Sequence, residues 1–343
     1  VIACGFALPD YSTTGRLIHR NLDRGGLIGY AGKGCFDHDE MESVMKRLCS
    51  LLIALMLLAL PAMAEPVVFH APKKGAMQYD APIMQEYPFK DTDDLLVVDI
   101  INIGTGDGIL VRAGGEAMLI DGGIAGSAKA LKRFLKAQNV AYCDYFFNTH
   151  PHGDHILAQR QLLIEDYLPG IFLSMYPMDY KFPEHQDTVA QITKKGVPYR
   201  QVFSGDVIHM GKATLTFMND DRPETRNMNY RSMLLNITFG ERSILFTADC
   251  TGSSIAYVGE KYPELMDVDV MKSPHHGINR LRPETFDQTT PEVVVITATK
   301  KVGENLASQL RRKKLPHYYM SMGTVRLETD GSIWYVRQEP RVE

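Results

Sequence analysis

The chain has 343 residues, of which 45% are hydrophobic, 23% charged and 9% aromatic. This composition excludes a disordered chain, a collagen-like repeat and a small disulfide-dense protein. Because the formal net charge is −4, the chain has no overall positive field, and binding of nucleic acid would need a local basic groove.

The first 64 residues are expected to lie outside the folded domain. Residues 45–64 have the pattern of a signal peptide: Lys46 and Arg47, a 13-residue apolar run, and a small-residue cleavage site that ends at Ala64. Since a membrane span needs about 20 residues, we expect cleavage after Ala64 and a secreted or periplasmic protein with no stable membrane span. An uncleaved anchor is the alternative. Residues 1–44 precede this signal, and we interpret them as a non-native upstream extension.

Residues 65–343 are expected to form one domain. Short apolar runs separated by turn residues predict these strands: 95–103, 108–112, 117–120, 141–148, 202–207, 214–218, 233–238, 243–247, 268–271, 292–297, 318–320, 324–328 and 333–337. Apolar residues at helical spacing predict helices over 127–138, 255–262 and 305–313. Residues 166–200 are more polar and proline-rich, which indicates a helix and loop that cross one face. This order predicts an α/β fold with two packed sheets flanked by helices.

Three imidazoles and a carboxylate directly follow the predicted strand 141–148. They are His150, His152, Asp154 and His155. Imidazole and carboxylate groups bind zinc and similar divalent ions. Because four such groups within six residues cannot all face one ion, the spacing predicts two cations that share a water. His150 and His152 would face one cation, and Asp154 and His155 the other.

This His-x-His-x-Asp-His pattern resembles that of the metallo-β-lactamase superfamily, whose fold is a four-layer αββα sandwich. The resemblance implies a bridging aspartate and a final histidine after later strands. Asp249 follows the predicted strand 243–247, and His275 and His276 follow 268–271. The implied ligands of two divalent metals, zinc or else manganese, are His150, His152, Asp154, His155, Asp249 and His276, with His276 favoured over His275.

A finer resemblance is to the branch typified by the hydrolase domain of the competence protein ComEC and by its relative phosphorylcholine esterase. It covers about residues 95–338 and rests on segments 98–107, 118–123, 229–235, 275–277 and 323–331. It implies that Asp121 is a buried residue that orients the histidine loop. Asp107 either has the same orienting role or is a plain turn residue.

The first metal lacks the third histidine that many superfamily members supply. Between His155 and Asp249 the chain has only His185 and His209, neither in a ligand-like position. The branch places Asn229 and Ser232 near this point. The first metal site is therefore expected to be open or weaker.

The resemblance implies a secreted hydrolase in which Asp154 orients a metal-bridging water or accepts its proton, and His275 acts on the oxyanion or leaving group. A phosphodiester is the favoured substrate, either DNA or a small molecule. Basic residues at 222–231 and 311–314 could form a local basic edge, although a solvated helix face is the ordinary interpretation of 311–314. The alternatives are hydrolysis of a lactone or β-lactam, and a metal-free binding module. The oligomeric state is left open, and Cys143 and Cys250 are expected to be buried thiols.

Overall fold

Two β-sheets face each other in the computed structural model, which describes residues 73–79 and 94–339. The expected signal peptide at 45–64 and the extension at 1–44 lie outside the described residues. The described residues all belong to one unit, Pro66–Glu343.

The strands match most of the apolar runs in the sequence. They are β1 (Met77–Tyr79), β2 (Leu96–Ile100), β3 (Gly108–Ala113), β4 (Glu116–Asp121), β5 (Tyr145–Asn148), β6 (Ile171–Ser174), β7 (Tyr199–Gln201), β8 (Val207–Met210), β9 (Ala213–Met218), β10 (Leu234–Phe239), β11 (Arg242–Phe246), β12 (Val270–Lys272), β13 (Val293–Ile296), β14 (His317–Tyr319), β15 (Val325–Thr329) and β16 (Trp334–Gln338). The first sheet has the order β1-β16-β15-β2-β3-β4-β5-β6-β7, and the second has the order β14-β13-β12-β11-β10-β9-β8.

The α-helices of the described residues lie between these strands in sequence. They are α1 (Ala128–Ala137), α2 (Gly153–Ile164), α3 (Pro183–Lys195), α4 (Met228–Arg231), α5 (Ser253–Lys261), α6 (Pro263–Met266), α7 (Pro283–Thr289) and α8 (Lys300–Arg312). Within residues 73–79 and 94–339, none of them combines the length and apolar character needed to cross a membrane.

Three apolar clusters define four layers. One cluster joins the inner faces of the two sheets and includes Phe147 and Phe217, whose rings meet edge to face at 5.0 Å. A second packs α5 and α8 against the outer face of the second sheet. A third packs α1, α2 and α3 against the outer face of the first. The predicted αββα sandwich is confirmed.

Each sheet changes from antiparallel to parallel pairing along its width. Strands β2, β3 and β4 are antiparallel, and β4 to β7 are parallel. In the second sheet, β8 to β11 are antiparallel and β11 to β14 are parallel. Parallel strands end at one edge, and in α/β folds ligands bind at that carboxyl edge.

Two predicted segments were wrong. The predicted strand 202–207 is mostly the crossover between β7 in the first sheet and β8 in the second, with Gly205 at a φ of 97°. The segment 166–200 contains β6 and β7 as well as α3, so it extends the first sheet instead of only crossing a face. The apolar run Ile171–Ser174 is only four residues long, which hides this strand in a polar, proline-rich context.

Cys143 and Cys250 are buried free thiols, as expected. Burial raises the pKa of Cys143 to about 11.

We expect Phe217→Ala to lower the free energy of unfolding by about 3–5 kcal/mol, because it opens a cavity between the sheets where Phe217 is fully buried. Urea denaturation measures the change. The matched control is Phe203→Ala, because Phe203 is 58% exposed and its truncation should change stability by no more than about 0.5 kcal/mol. Equal losses of unfolding free energy in the two variants would contradict the role of Phe217 in the packing between the sheets.

Candidate metal centre

The candidate site lies where parallel strands of both sheets end. Asp121 is the last residue of β4, and the segment 150–155 follows β5. Asp249 follows β11, and His275 and His276 follow β12. Because the sheets pack face to face, these strand ends bring together residues more than 100 positions apart.

The Asp249 carboxylate lies at the centre of the site and is buried. Its Oδ1 is 3.3 Å from Nε2 of His155 and 3.3 Å from Nε2 of His276. Its Oδ2 is 3.6 Å from Nε2 of His150 and 3.7 Å from Nε2 of His275. The two oxygens therefore face two different sets of imidazoles.

Two groups of side chains share Asp249. One contains Asp107, His155, Asp249 and His276, and the other contains His150, His152 and Asp249, with one ligand atom per residue and all atoms of a group within 4.8 Å. Asp154 lies beside the first group, with Oδ2 3.5 Å from Nε2 of His276. The structure thus brings together all six residues proposed as ligands, with His150 and His152 in one group, His155 and His276 in the other, and Asp154 beside His276. Their assignment as ligands stays a prediction.

These residues fit a divalent cation. Nε2 of His155, Nε2 of His276 and Oδ1 of Asp249 are buried and make no hydrogen bond. A buried polar atom without a partner costs about 1–3 kcal/mol, yet these three atoms converge on one point. Nitrogen and carboxylate oxygen donors suit zinc and also manganese, so a cation would satisfy all three.

Asp121 holds the histidine loop in place. Its carboxylate accepts hydrogen bonds from the Asn148 side chain at 3.0 Å and from the Thr149 amide and hydroxyl at 2.9 and 2.6 Å. Nδ1 of His155 lies 2.7 Å from Oδ2 of Asp121. Because a carboxylate accepts, Nδ1 carries a proton, and Nε2 is the ring nitrogen that faces Asp249 and the candidate cation position.

Asp107 is not a plain turn residue. It is buried, and its Oδ2 lies 2.5 Å from Nζ of Lys272, while its Oδ1 lies 3.3 Å from Nδ1 of His276. Burial alone would raise the pKa of Asp107, but Lys272 and His276 hold it below its ordinary value. Sequence reasoning missed Lys272, although a single lysine at the end of an apolar strand was a signal.

His276 and His275 take different positions. His276 is buried in the first group, and its Nδ1 is 3.1 Å from the Thr297 hydroxyl. The His275 side chain is 27% exposed, and its Nε2 is 3.4 Å from the Asn229 amide nitrogen. His275 therefore lies at the rim, where a substrate can reach it.

Asn229 and Ser232 support this rim. The Ser232 hydroxyl donates to the Asn229 carbonyl at 2.6 Å and accepts from the Asp249 amide at 3.1 Å. His185 instead bonds the Pro177 carbonyl, and His209 contacts Thr214 on an exposed strand. Neither histidine belongs to either candidate group.

The backbone is strained at the site. Asp121, Ala248, His275 and His276 all have positive φ values, between 45° and 56°. Such conformations cost of order 1 kcal/mol or more for residues with a Cβ, and they persist only where the surrounding structure enforces them. Here the strained residues lie at three strand ends, those of β4, β11 and β12, whose side chains meet at one site.

Two loops pack against the histidine segment. Gly106 has a φ of 115°, and a Cβ there would lie 2.7 Å from the Asp154 carbonyl, so only glycine allows this approach. On the other side, the Phe182 ring lies 5.8 Å from the His152 ring. The site is therefore framed by residues 102–107 and by the segment before α3.

The charges of the cluster are strongly coupled. Burial would lower the pKa of His155 and His276, but Asp249 and the carboxylates on Nδ1 raise both above the ordinary value. Burial and the neighbouring His155 lower the pKa of His150. Burial would raise the pKa of Asp249, yet His155 and His276 keep it low. Without cations, protons occupy the positions that cations would take.

We expect the chelated protein to lose stability as the pH rises above about 6.5. A histidine with a raised folded pKa contributes stability that is lost as the pH rises through that pKa. His150 and His275, whose pKa is lowered by burial, do not change the stability further above about pH 6.5. The carboxylates do not change it further above about pH 4. The histidines of the site with a raised pKa are His155 and His276.

Urea denaturation with chelator between pH 6.5 and 8.5 measures this change. The metal-loaded protein is the control, because cations in place of protons should remove the decline. A chelated protein that becomes more stable across this range would contradict the coupling.

Comparison with known proteins gives a family match over residues 102–295, to the metallo-beta-lactamase superfamily. No curated protein matches the chain.

Solved structures that resemble it share little sequence. CmlA, a diiron beta-hydroxylase from Streptomyces venezuelae, is 17% identical over 68% of this chain and 54% of its own, with a TM-score of 0.48. The metallo-beta-lactamase fold protein YhfI from Bacillus subtilis is 16% identical over 66% of this chain and 96% of its own, with a TM-score of 0.44. A diphosphatase of the PhnP family is 13% identical over 65% of this chain and 94% of its own, with a TM-score of 0.40. The chain spans about half the length of CmlA.

Proposed function

The chain belongs to the metallo-beta-lactamase superfamily, and on that premise we propose that it is a hydrolase that uses two divalent cations to cleave phosphodiesters. The observation that carries this proposal is the pair of side-chain groups that share the buried carboxylate of Asp249. His150 and His152 would hold one cation. His155, His276 and Asp154 would hold the other, and Asp249 would contact both.

Two cations in these positions would act as Lewis acids and lower the pKa of a water to about 7. Side chains of the protein would position the water and transfer the protons. Asp154 is 41% exposed, so its free oxygen can orient the attacking water and accept its proton. His275, at the rim beside Asn229, can donate to the oxygen of the departing alcohol. Asp121 holds the proton of a neutral His155 on Nδ1, which leaves Nε2 for the cation.

The charge of the site favours an anionic substrate. Asp121, Asp154 and Asp249 carry three negative charges, whereas Lys272 neutralises Asp107. Two divalent cations bring four positive charges, which leaves a net charge of about +1 with neutral imidazoles. A phosphodiester carries one negative charge. The resemblance to the ComEC branch in segments 98–107 and 229–235 also supports this substrate class.

A small phosphodiester is favoured over DNA. The basic run 311–314 follows the end of α8, whereas α8 begins just after Thr297, which contacts His276. A helix of 13 residues is about 20 Å long, so the run lies at the far end from the site. Arg222 is paired with Asp220 and stacks on Tyr257. Neither the run 311–314 nor Arg222 supplies a basic track to the site.

We also propose export from the cytoplasm, which rests on the signal-peptide pattern at 45–64. Exported protein that begins at Glu65 would support it.

The purified protein should bind about two equivalents of zinc or manganese and hydrolyse bis(p-nitrophenyl) phosphate, with activity lost on chelation and restored by metal. His276→Ala should lower turnover more than about 100-fold, because it removes a cation ligand. His209→Ala is the matched control, because His209 is exposed and outside the site.

A panel of substrates separates the alternatives. Turnover of a lactone or a β-lactam without turnover of phosphodiesters would replace the proposed substrate class. Absence of both bound metal and turnover would instead favour the metal-free binding module. DNA cleavage faster than that of small diesters would reverse the preference for a small substrate.

We expect His275→Gln to lower kcat about 10²–10⁴-fold, because it removes a proton donor from the rim. Metal content should stay at the wild-type level, since His276 occupies the buried position. Steady-state kinetics and metal analysis of the same preparation measure both. Loss of a cation with the activity would make His275 a ligand instead.

A further inference from the structure

Lys272 is a fully buried lysine at the end of β12 that the mechanism above does not use. Its ammonium donates to the Ala248 carbonyl at 2.8 Å and lies 2.5 Å from Oδ2 of Asp107. Both side chains are at most 2% exposed. A buried lysine is rarely kept without a specific partner, and here the partner lies beside the cation site.

The ion pair joins the two sheets at His276. Asp107 comes from the loop between β2 and β3 of the first sheet, whereas Lys272 and His276 belong to the second. Oδ1 of Asp107 lies 3.3 Å from Nδ1 of His276 and makes no hydrogen bond, while the same Nδ1 lies 3.1 Å from the Thr297 hydroxyl. The carboxylate is thus held between an ammonium and an imidazole.

We propose that Lys272 and Asp107 are a positioning pair for His276, an inference that rests on the proposed cation-dependent function. The carboxylate favours a proton on Nδ1 of His276, so that Nε2, beside Asp249 and Asp154, would be the nitrogen that binds the cation. Lys272 neutralises the carboxylate and anchors it through Ala248, the residue before Asp249. The arrangement parallels that of Asp121 and His155, where the carboxylate lies 2.7 Å from Nδ1.

The test variant is Lys272→Met with Asp107→Leu. Replacing both partners avoids an uncompensated buried charge, which a single substitution would leave. Zinc affinity, measured by competition with a chelator, should fall about 10–100-fold for one of the two equivalents, as for other residues that orient ligands. The equivalent assigned to His150 and His152 should be little changed.

A conservative variant separates positioning from general packing. Lys272→Met with Asp107→Asn is also uncharged but keeps an oxygen beside Nδ1 of His276, so it should recover part of the zinc affinity. Affinity equal to that of the leucine variant would contradict the proposed role of the oxygen.

The matched control lies at the opposite end of β12, between the first residue of β11 and the residue before β12. Arg242 and Asp269 are both fully buried and form an ion pair at 3.1 Å. Arg242→Met with Asp269→Leu should change stability in urea and leave both zinc affinities within about twofold of wild type. Equal losses of zinc affinity in the two double variants would reduce the proposal to general stability and overturn it.

A measurement on the wild-type protein does not depend on whether a variant folds. In zinc-loaded protein with ¹⁵N-labelled histidine, His276 should show a slowly exchanging Nδ1–H, assigned by its absence from His276→Gln. A proton on Nε2 of His276 would overturn the inference.

These outcomes distinguish the two proposals. Zinc binding with the expected losses but without phosphodiester turnover would refute the proposed function and leave the positioning role standing. Unchanged zinc affinity in the leucine variant, beside normal turnover, would refute the positioning role alone. A wild-type protein that binds neither zinc nor manganese would refute both.

Discussion

The buried carboxylate of Asp249 is the constraint on which the rest of the site depends. Its Oδ1 faces one histidine from each sheet, His155 and His276, at 3.3 Å. A negative charge buried between two sheets is stable only if positive charge compensates it. Protons on the histidines provide that charge in the chelated protein, and cations would provide it in the loaded one. Folding, cation binding and pH dependence are therefore coupled through one side chain.

The surrounding residues serve to orient the histidines. Asp121 lies against Nδ1 of His155 and is itself held by backbone and side-chain donors from the end of β5. Asp107 lies against Nδ1 of His276 and is held by Lys272. Asp121 is stabilised by hydrogen bonds from neutral donors, and Asp107 by the charge of Lys272. The two histidines therefore reach the same orientation by different means.

The sandwich provides the rigidity that this geometry requires. Apolar residues from both sheets interlock between them, and helices cover both outer faces. Such packing enforces the positive φ values at Ala248, His275 and His276, which would relax in a looser fold. The His275 side chain lies at the partly exposed rim, although its backbone is held by the same packing.

The sequence by itself determined the strands with clear apolar runs, the His150–His155 motif, Asp249 and the His275–His276 pair, because each is a local pattern. Tertiary structure decided what depends on distant contacts. The ion pair of Asp107 with Lys272 joins a loop to a strand end 165 positions away, and no local pattern encodes it. Strand β6 was hidden because four apolar residues become a strand only when a neighbouring strand supplies the hydrogen bonds.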